Sequence, residues 1–331
     1  MKAIGIILAG GNNNRMKELT AKRAVPALPV AGSFRSIDFA LSSMSNSHIQ
    51  TVAVLTQYNA RSLNEHLSSS KWWNFGRKQG GLFLFTPTVT ADNSDWYRGT
   101  ADAMYQNIDF LKRRHEPYVI ISSGDCVYKL DFNRVLDFHI EKKSDITVVC
   151  KDMMYNDDVS RFGVVRMDDE SRITEFDEKP IEALSNTIST GIYVIRRRQL
   201  IELLEAAAEE NRFDFVNDIL VRYKNVKKIY GYKINSYWNN IADIDAYFKT
   251  NMDFLRPDVR SYFFREEPTI CSKVDDLPPA KFNPGSDISN SLVSSGCIIN
   301  GSVEDSVLFK QVFVGKNTTV KNCVILNDVY I

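Results

Sequence analysis

Apolar residues come in short runs along the first part of the chain, and each run is followed by a stretch with helical spacing. Ala3–Leu8, Thr51–Thr56, Tyr118–Ser122, Ile146–Cys150 and Gly191–Ile195 are rich in Ile, Val and Leu and predict strands. Between them, Ser36–Ser45, Asn59–Leu67, Ala101–Arg114 and Arg198–Glu209 predict helices. Strands that are apolar throughout are buried on both faces, and their alternation with helices indicates a mostly parallel sheet covered on each side. The expected class is α/β, with a first domain over residues 1–255. Ligands of such sheets sit beyond the C-terminal ends of the strands. Gly10-Gly11, Gln57 and Gly124-Asp125 all fall there.

After about residue 255 the pattern changes. Pro257, Pro268, Pro278, Pro279 and Pro284 crowd together and predict a linker over 256–285. Beyond it, Leu308, Val314, Val320 and Leu326 stand six residues apart with small, polar or β-branched residues between them. This spacing resembles the hexapeptide repeat of a left-handed parallel β-helix, in which each strand of a triangular coil turns one aliphatic side chain inward. It assigns 286–331 to a second domain, with an ordinary β-meander as the competing reading. The pattern is still running at Ile331, so the expectation is that the domain is truncated here and the full protein continues.

The chain has 331 residues, with 41 Lys and Arg against 41 Asp and Glu. A net charge of zero argues against a nucleic-acid or anionic-membrane partner attracted by bulk electrostatics. No apolar run approaches the roughly 20 residues of a bilayer span, and no secretory leader opens the chain. A cytoplasmic location is expected. Cys126, Cys150, Cys271, Cys297 and Cys323 are scattered, with no CxxC pair, and predict buried free thiols rather than a zinc site. The aromatic segment at 72–85 (Trp72, Trp73, Phe75, Phe83, Phe85) is read as core, and Arg196-Arg197-Arg198 as a solvated helix start.

The candidate chemistry begins at Ile6–Arg15, which reads IILAGGNNNR. An apolar strand that breaks at two glycines and is followed by a basic residue brings backbone amides up to a nucleotide phosphate. A loop of this kind ordinarily carries a further cation and glycine where Asn12, Asn13 and Asn14 stand.

This run is followed by TAKRAVPALPVAG (20–32), FRSIDFALSS (34–43), TQY (56–58), DWYRGTADAMYQN (95–107) and SGDCVYKLD (123–131). FDEKP (176–180), STGIYVI (189–195) and YWNNIADIDAYFKTNMDF (237–254) complete the series. Together, across nearly the whole chain, these motifs resemble the ADP-glucose pyrophosphorylases (glucose-1-phosphate adenylyltransferases). The resemblance implies a Rossmann-like nucleotidyltransferase domain, a left-handed β-helix domain and a homo- or hetero-tetramer. It also implies the reaction of ATP with glucose 1-phosphate to give ADP-glucose and pyrophosphate. Two anions must meet in that reaction, so cations must hold the triphosphate and absorb charge on the leaving group, and a Mg²⁺ needs carboxylates.

Carried over position by position, the resemblance divides the site. Gly10, Gly11 and Arg15 match the phosphate loop, but Asn12 replaces its first arginine and Asn13 its glycine. Val25 stands at the catalytic lysine of the RAKPA motif. Asp125 matches the first metal aspartate, with Cys126 at a usual histidine. Asn240 replaces the second metal aspartate, with Asn239 at the preceding arginine, so any Mg²⁺ is weakened by the loss of one carboxylate. On the sugar side Glu178, Lys179, Ser189 and Thr190 match, as do Tyr97, Arg98 and Gly99. Gln57 matches a base-contacting residue, and Lys22 an activator-contacting, allosteric lysine.

The losses all fall on the phosphate and metal side. That pattern resembles the GlgD-type subunit of Gram-positive bacteria, which accompanies a catalytic GlgC-type subunit in glycogen biosynthesis. The resemblance therefore implies a regulatory, weakly active or non-catalytic partner subunit, with ATP, ADP-glucose or glucose 1-phosphate as ligands. One alternative is an active sugar-1-phosphate nucleotidyltransferase with altered residues, in which Asp243 takes over the metal. Another is a sugar-phosphate or nucleotide sensor. Acyltransferase chemistry, which also uses hexapeptide tails, is disfavoured, because His48, His66, His115 and His139 all lie in the first domain.

Overall fold

A computed structural model describes residues 2–11, 14–76, 80–89, 96–154 and 157–331. The chain enters through β1 (Ala3–Ala9), forms a short hairpin of β2 (Pro29–Val30) and β3 (Phe34–Arg35), and continues into α1 (Ser36–Asn46), β4 (Thr51–Thr56), α2 (Arg61–Leu67) and β5 (Gly81–Phe85). Helices α3 (Thr100–Gln106) and α4 (Ile108–Lys112) lead to β6 (Tyr118–Ser123), β7 (Cys126–Tyr128), α5 (Phe132–Glu141) and β8 (Ile146–Asp152). A hairpin of β9 (Gly163–Met167) and β10 (Ile173–Glu178) precedes β11 (Thr187–Arg196) and α6 (Arg197–Glu209). The domain closes with β12 (Ile229–Lys233), β13 (Trp238–Asn240), α7 (Ile244–Asp253) and α8 (Pro257–Phe264).

One nine-stranded sheet carries the domain, with order β10-β9-β11-β6-β1-β4-β5 and β8 joining β11 to β12. Strand β1 lies between β4 and β6, and both pairings are parallel. Alternation along β1 feeds two cores. Ile4 and Ile6 pack with Leu200, Leu203 and Leu204 of α6, while Ala3 and Ile7 face the cluster holding Ile37 and Leu41 of α1 and Phe132 of α5. Strand β11 runs antiparallel to both β6 and β8. A strand buried on both faces reads the same in either direction, so this reversal left no mark in the pattern. Strand β11 also bulges between Ser189 and Tyr193, where Gly191 takes φ +74°.

Several expectations need adjustment. The helix expected over 101–114 is divided at Asn107, whose amide donates to the Ala103 carbonyl at 2.8 Å and to Tyr97 Oη at 2.9 Å. A short amide that competes for local polar groups interrupts the helix there. The stretch expected as a linker begins as helix α8, with Pro257 in its first turn, where its missing N–H costs nothing. Phe263 of that helix is fully buried, edge-on to Phe39 and Tyr237 at 5.3 Å. The residues that follow are strapped to α1 and its surroundings. Asn46 donates to the Thr269 carbonyl at 3.0 Å, Trp73 to that of Cys271 at 3.1 Å, and Ser272 Oγ to Asp38 at 2.5 Å. Trp73 is thus core, as read from sequence. Arg197 departs from the solvated reading: its guanidinium donates to the carbonyls of Glu116 (2.9 Å) and Leu111 (3.0 Å). All five cysteines are free, but Cys271 is exposed and Cys323 only half-buried.

The C-terminal segment forms three parallel three-stranded sheets, in which Lys281 pairs with Ile298 and Ile298 with Phe313, and so on round the coil. This is the triangular β-helix the six-residue spacing implied. Leu308, Val314 and Val320 point into its interior. Leu326 does not: Ile325 takes the interior place, and Leu326 packs against the first domain near Leu255 and Phe309. The turns of the coil differ in length, so a strict period drifts out of phase. Among the described residues, no helix is long and apolar enough to cross a membrane.

His139 of α5 supplies a pH test of this packing. Its Nδ1 lies 2.8 Å from Thr147 Oγ1, its Nε2 has no partner, and it is 1% exposed. Burial, reinforced by Arg196, pushes its pKa from 6.5 down to about 4. Between those values the unfolded chain binds a proton that the folded chain refuses, so stability present above the unfolded pKa is lost as pH falls through this window. His139→Gln is expected to lose less stability than the unaltered chain between pH 7 and 4.5, measured as urea midpoints. Identical pH slopes would contradict this.

Candidate functional site

The C-terminal ends of β1, β4 and β6 and the start of α3 enclose a cavity of about 430 Å³. Gly10 and Gly11 line it from the end of β1, Gln57 from the end of β4, Tyr97 and Gly99 from the turn before α3, and Asp125 from the turn after β6. Parallel strands fix this meeting, because every strand delivers its following loop to the same edge. Eight of the expected site residues converge there, the other two being Val25 and Arg98.

The backbone of the turn before α3 is built around a distant carbonyl. Phe213 C=O accepts from Ala101 N–H (2.8 Å) and Asp102 N–H (3.2 Å) and so caps the helix. A Cβ on Gly99 would lie 2.3 Å from that oxygen, so only glycine fits. Arg98 lies over the Phe213 ring at 3.9 Å, and its N–H donates to Asp102 at 2.8 Å. Gln57 closes the other side: its Oε1 accepts from Tyr97 N–H at 2.7 Å, and its Nε2 donates to Tyr97 C=O at 3.4 Å. Burial raises the Tyr97 phenol above its ordinary pKa, opposed by its hydrogen bond with Asn107.

Asp125 is held by its neighbours. Its Oδ1 accepts from Ser123 Oγ at 2.5 Å. Strand β13 pairs antiparallel with β7, with Asn240 opposite Cys126, and Ile241 N–H donates to the Asp125 carbonyl at 3.0 Å. The two positions the sequence singled out for a metal are therefore neighbours in space. The donors do not suit a Mg²⁺, however. Asn240 Oδ1 accepts from Ala242 N–H at 2.9 Å, and its Nδ2 donates to Cys126 Sγ at 3.4 Å. Cys126 is wholly buried, which with Asp125 raises its thiol pKa, and a hard Mg²⁺ takes oxygen ligands and not sulfur. Asp125 is the one carboxylate left of the two the resemblance implied, and its Oδ1 is already engaged by Ser123 Oγ and Cys126 Sγ. Among the described residues, no group of three or more His, Cys, Asp or Glu is placed to hold a metal.

Val25 is 4% exposed and opens a short 3₁₀ turn. It presents an apolar surface to the cavity while packing into the cluster of Met16, Leu28 and Phe39. Asp243, considered from sequence as a substitute metal ligand, is committed elsewhere. Its Oδ1 caps α7 by accepting from Ala246 N–H at 2.8 Å, and its carboxylate pairs with Arg161.

Among the described residues, the remaining expected ones line no part of this cavity. Glu178 and Lys179 pair at 2.9 Å at the end of β10, and Lys179 is 62% exposed. Ser189 and Thr190 sit at the bulge of β11. Thr190 Oγ1 donates to the Val149 carbonyl at 2.9 Å, and Ser189 Oγ reaches Tyr193 Oη at 3.3 Å. The bulge adjoins the cavity, since a Cβ on Gly191 would meet Ser123 at 3.5 Å. Arg15 and Lys22 are exposed and line no part of the cavity. Asn12 and Asn13 lie outside the described residues. Sequence reasoning missed Ser123, Arg161 and Phe213. Ser123 was legible as the residue two before Asp125; the other two arrive from remote loops without any local signal.

A parallel-centred sheet with a glycine-lined cavity at its carboxyl edge, followed by a hexapeptide coil, defines a nucleotidyltransferase-type domain joined to a β-helix. The nucleotidyl transferase family matches residues 4–256, and the GlmU-like C-terminal hexapeptide family matches residues 278–331. The chain is 38% identical over 96% of its length to a glucose-1-phosphate adenylyltransferase of Clostridium novyi, covering 84% of that protein. It is 39% identical to one of Pseudothermotoga lettingae, with 96% of this chain and 76% of that protein covered. The corresponding protein of Geobacillus stearothermophilus is 36% identical, with 97% and 83% covered. The chain belongs to the glucose-1-phosphate adenylyltransferase family.

Gly99→Ala is expected to push the Phe213 carbonyl out of its cap and open the cavity wall. The folded chain should lose about 1–3 kcal/mol of stability through the displaced cap hydrogen bonds, and its Tyr97 and Gln57 amides should exchange hydrogen faster. Unchanged exchange at both would contradict the geometry.

Proposed function

We propose that this chain is a weakly active or non-catalytic subunit of a glucose-1-phosphate adenylyltransferase. It assembles, as a tetramer, with a catalytic GlgC-type subunit and modulates its rate in glycogen biosynthesis, as a GlgD-type subunit does. The observation that carries the reading is the wall of the glycine-lined cavity: the glycine loop and Asp125 are present, but Val25 faces them where a cation is needed. Attack of a sugar phosphate on the α-phosphorus of ATP builds charge on the leaving pyrophosphate, and an isopropyl group offers it nothing. Loss of one preorganised electrostatic contact costs about 10²–10³ in rate, and losses within one assembly do not add simply.

The retained groups have roles in binding more than in chemistry. Gly10 and Gly11 offer backbone N–H groups to phosphate, with Arg15 in the same loop. Gln57 and Tyr97 shape the nucleotide side of the cavity. Glu178 accepts from sugar hydroxyls, Lys179 meets the sugar's phosphate, and Ser189 and Thr190 shape the neighbouring bulge. Lys22, exposed beside Arg23, remains available to an effector or a partner subunit. A Mg²⁺ does not fit the donors present, and no step is assigned to one. The alternative of an active enzyme with altered residues loses Asp243 as a metal ligand, because Arg161 and the cap of α7 occupy it, and rests on Arg15, Arg23 and Asp125.

Assays of ADP-glucose formation by this chain, by a GlgC-type subunit and by their mixture test the reading. The chain alone should be at least about 10²-fold slower than the catalytic subunit, and the mixture should differ from the catalytic subunit in rate or effector response. Ordinary turnover by the chain alone would refute it. Restoring Asn12→Arg, Val25→Lys and Asn240→Asp together is expected to raise the chain's own activity by orders of magnitude. No gain would mean that the pocket differs beyond these three positions.

A further inference from the structure

A second cavity, of about 360 Å³, opens beside Asn240 and is lined in part by Arg161, Asn239, Asp243 and Lys249. Arg161 enters it from the loop that precedes β9. Its guanidinium pairs with Asp243, and the two side chains are 26% and 21% exposed, so this pair is mostly withdrawn from water. Asp243 holds two structures at once, the first turn of α7 through Oδ1 and Arg161 through Oδ2.

Three connections locate Arg161 within the site. The carbonyl of the next residue, Phe162, accepts from Lys179 N–H at 3.1 Å, which ties its loop to the Glu178–Lys179 pair. Its cavity is shared with Asn240, whose strand pairs with Cys126 beside Asp125. Its field and that of Arg15 both act on the Asp158 carboxyl, which is lowered chiefly by its hydrogen bonds with Ser160. Arg161 therefore sits on the loop that the Lys179 amide ties to the Glu178–Lys179 pair, and it lines the same cavity as Asn240. A guanidinium is suited to phosphate by its planar fork of donors. Here that fork is already answered by a carboxylate. Of the four carboxylates that line this cavity (Asp157, Asp158, Asp243, Asp245), Asp243 is the one that pairs with the Arg161 guanidinium.

We propose that Arg161 is a phosphate-contacting residue of the sugar-phosphate site and that Asp243 keeps it neutralised, which makes Asp243 a determinant of weak sugar-phosphate binding. The proposal rests on the sugar-phosphate reading given above. Asp243→Asn and Asp243→Ser both keep an N-cap side chain for α7 while removing the charge. Calorimetric titration of the full chain with glucose 1-phosphate should show binding about tenfold or more tighter in both variants than in the unaltered chain. Arg161→Gln added to either should abolish the gain, and glucose, which lacks the phosphate, should show no such gain. The proposal is overturned if two folded Asp243 variants bind glucose 1-phosphate no better than the unaltered chain, or if the gain survives Arg161→Gln. Failure of the subunit reading is distinct: a chain that left a catalytic partner's rate untouched would still show this binding gain.

Discussion

The pairing of β7 with β13 is the contact on which the candidate site depends. These two short strands lie outside the main sheet, and their register sets Asn240 against Cys126 and the Ile241 amide against the Asp125 carbonyl. Without that ladder Asp125 would belong to a loose turn after β6, and the chain segment that leads into α7 would have no fixed relation to the glycine loop. Trp238, at the start of β13, is buried in the same core as Tyr128 of β7, so apolar packing drives the register and the polar positions follow it. Ser36 at the start of α1 adds a further tie, donating to the Gly124 carbonyl at 2.5 Å.

Given that framework, the chemistry turns on where charge is missing and where it is already matched. A family site built to join two anions depends on cations and carboxylates preorganised around phosphate. In this chain the frame survives, but Val25 is apolar, Asn240 spends both ends of its amide on the protein, and Arg161 is paired with Asp243. None of these arrangements disturbs the fold, since each side chain is satisfied by packing, hydrogen bonds or an ion pair. On the proposed reading the site has lost reactive groups while keeping its shape, and that shape serves binding or subunit contact. The strap from Thr269 to Ser272 and the packing of Leu326 against the first domain join the cavity-bearing domain to the coil.

Most of the fold was legible because strand and helix signals in this chain are strong and local. Ala3–Leu8, Thr51–Thr56 and Tyr118–Ser122 are dominated by Ile, Val, Leu and Ala, and their loops carry the glycines and the carboxylate that line the cavity. What was not legible is what depends on contacts remote in sequence. The direction of β11, the helix after Pro257 and the Phe213 carbonyl beneath Gly99 are all set by packing rather than by local preference. The drift from Leu326 to Ile325 comes from unequal turns. At the site, the motifs identified Gly10, Gly11, Val25, Gln57, Tyr97, Gly99 and Asp125, which do meet. They also suggested Asp243 as a spare ligand, and only coordinates reveal that Arg161 and the first turn of α7 already claim it.

The central claim is that the phosphate and metal half of this site has lost its electrostatic machinery while its framework remains. The most direct test titrates Mn²⁺, as a reporter for Mg²⁺, into the full chain with and without ADP-glucose and follows the free Mn²⁺ signal by electron paramagnetic resonance. The account predicts no saturable site, so the signal should grow with added metal as it does in buffer containing the same ligand. Uptake of about one Mn²⁺ per chain, saturable and abolished by Asp125→Asn, would contradict it.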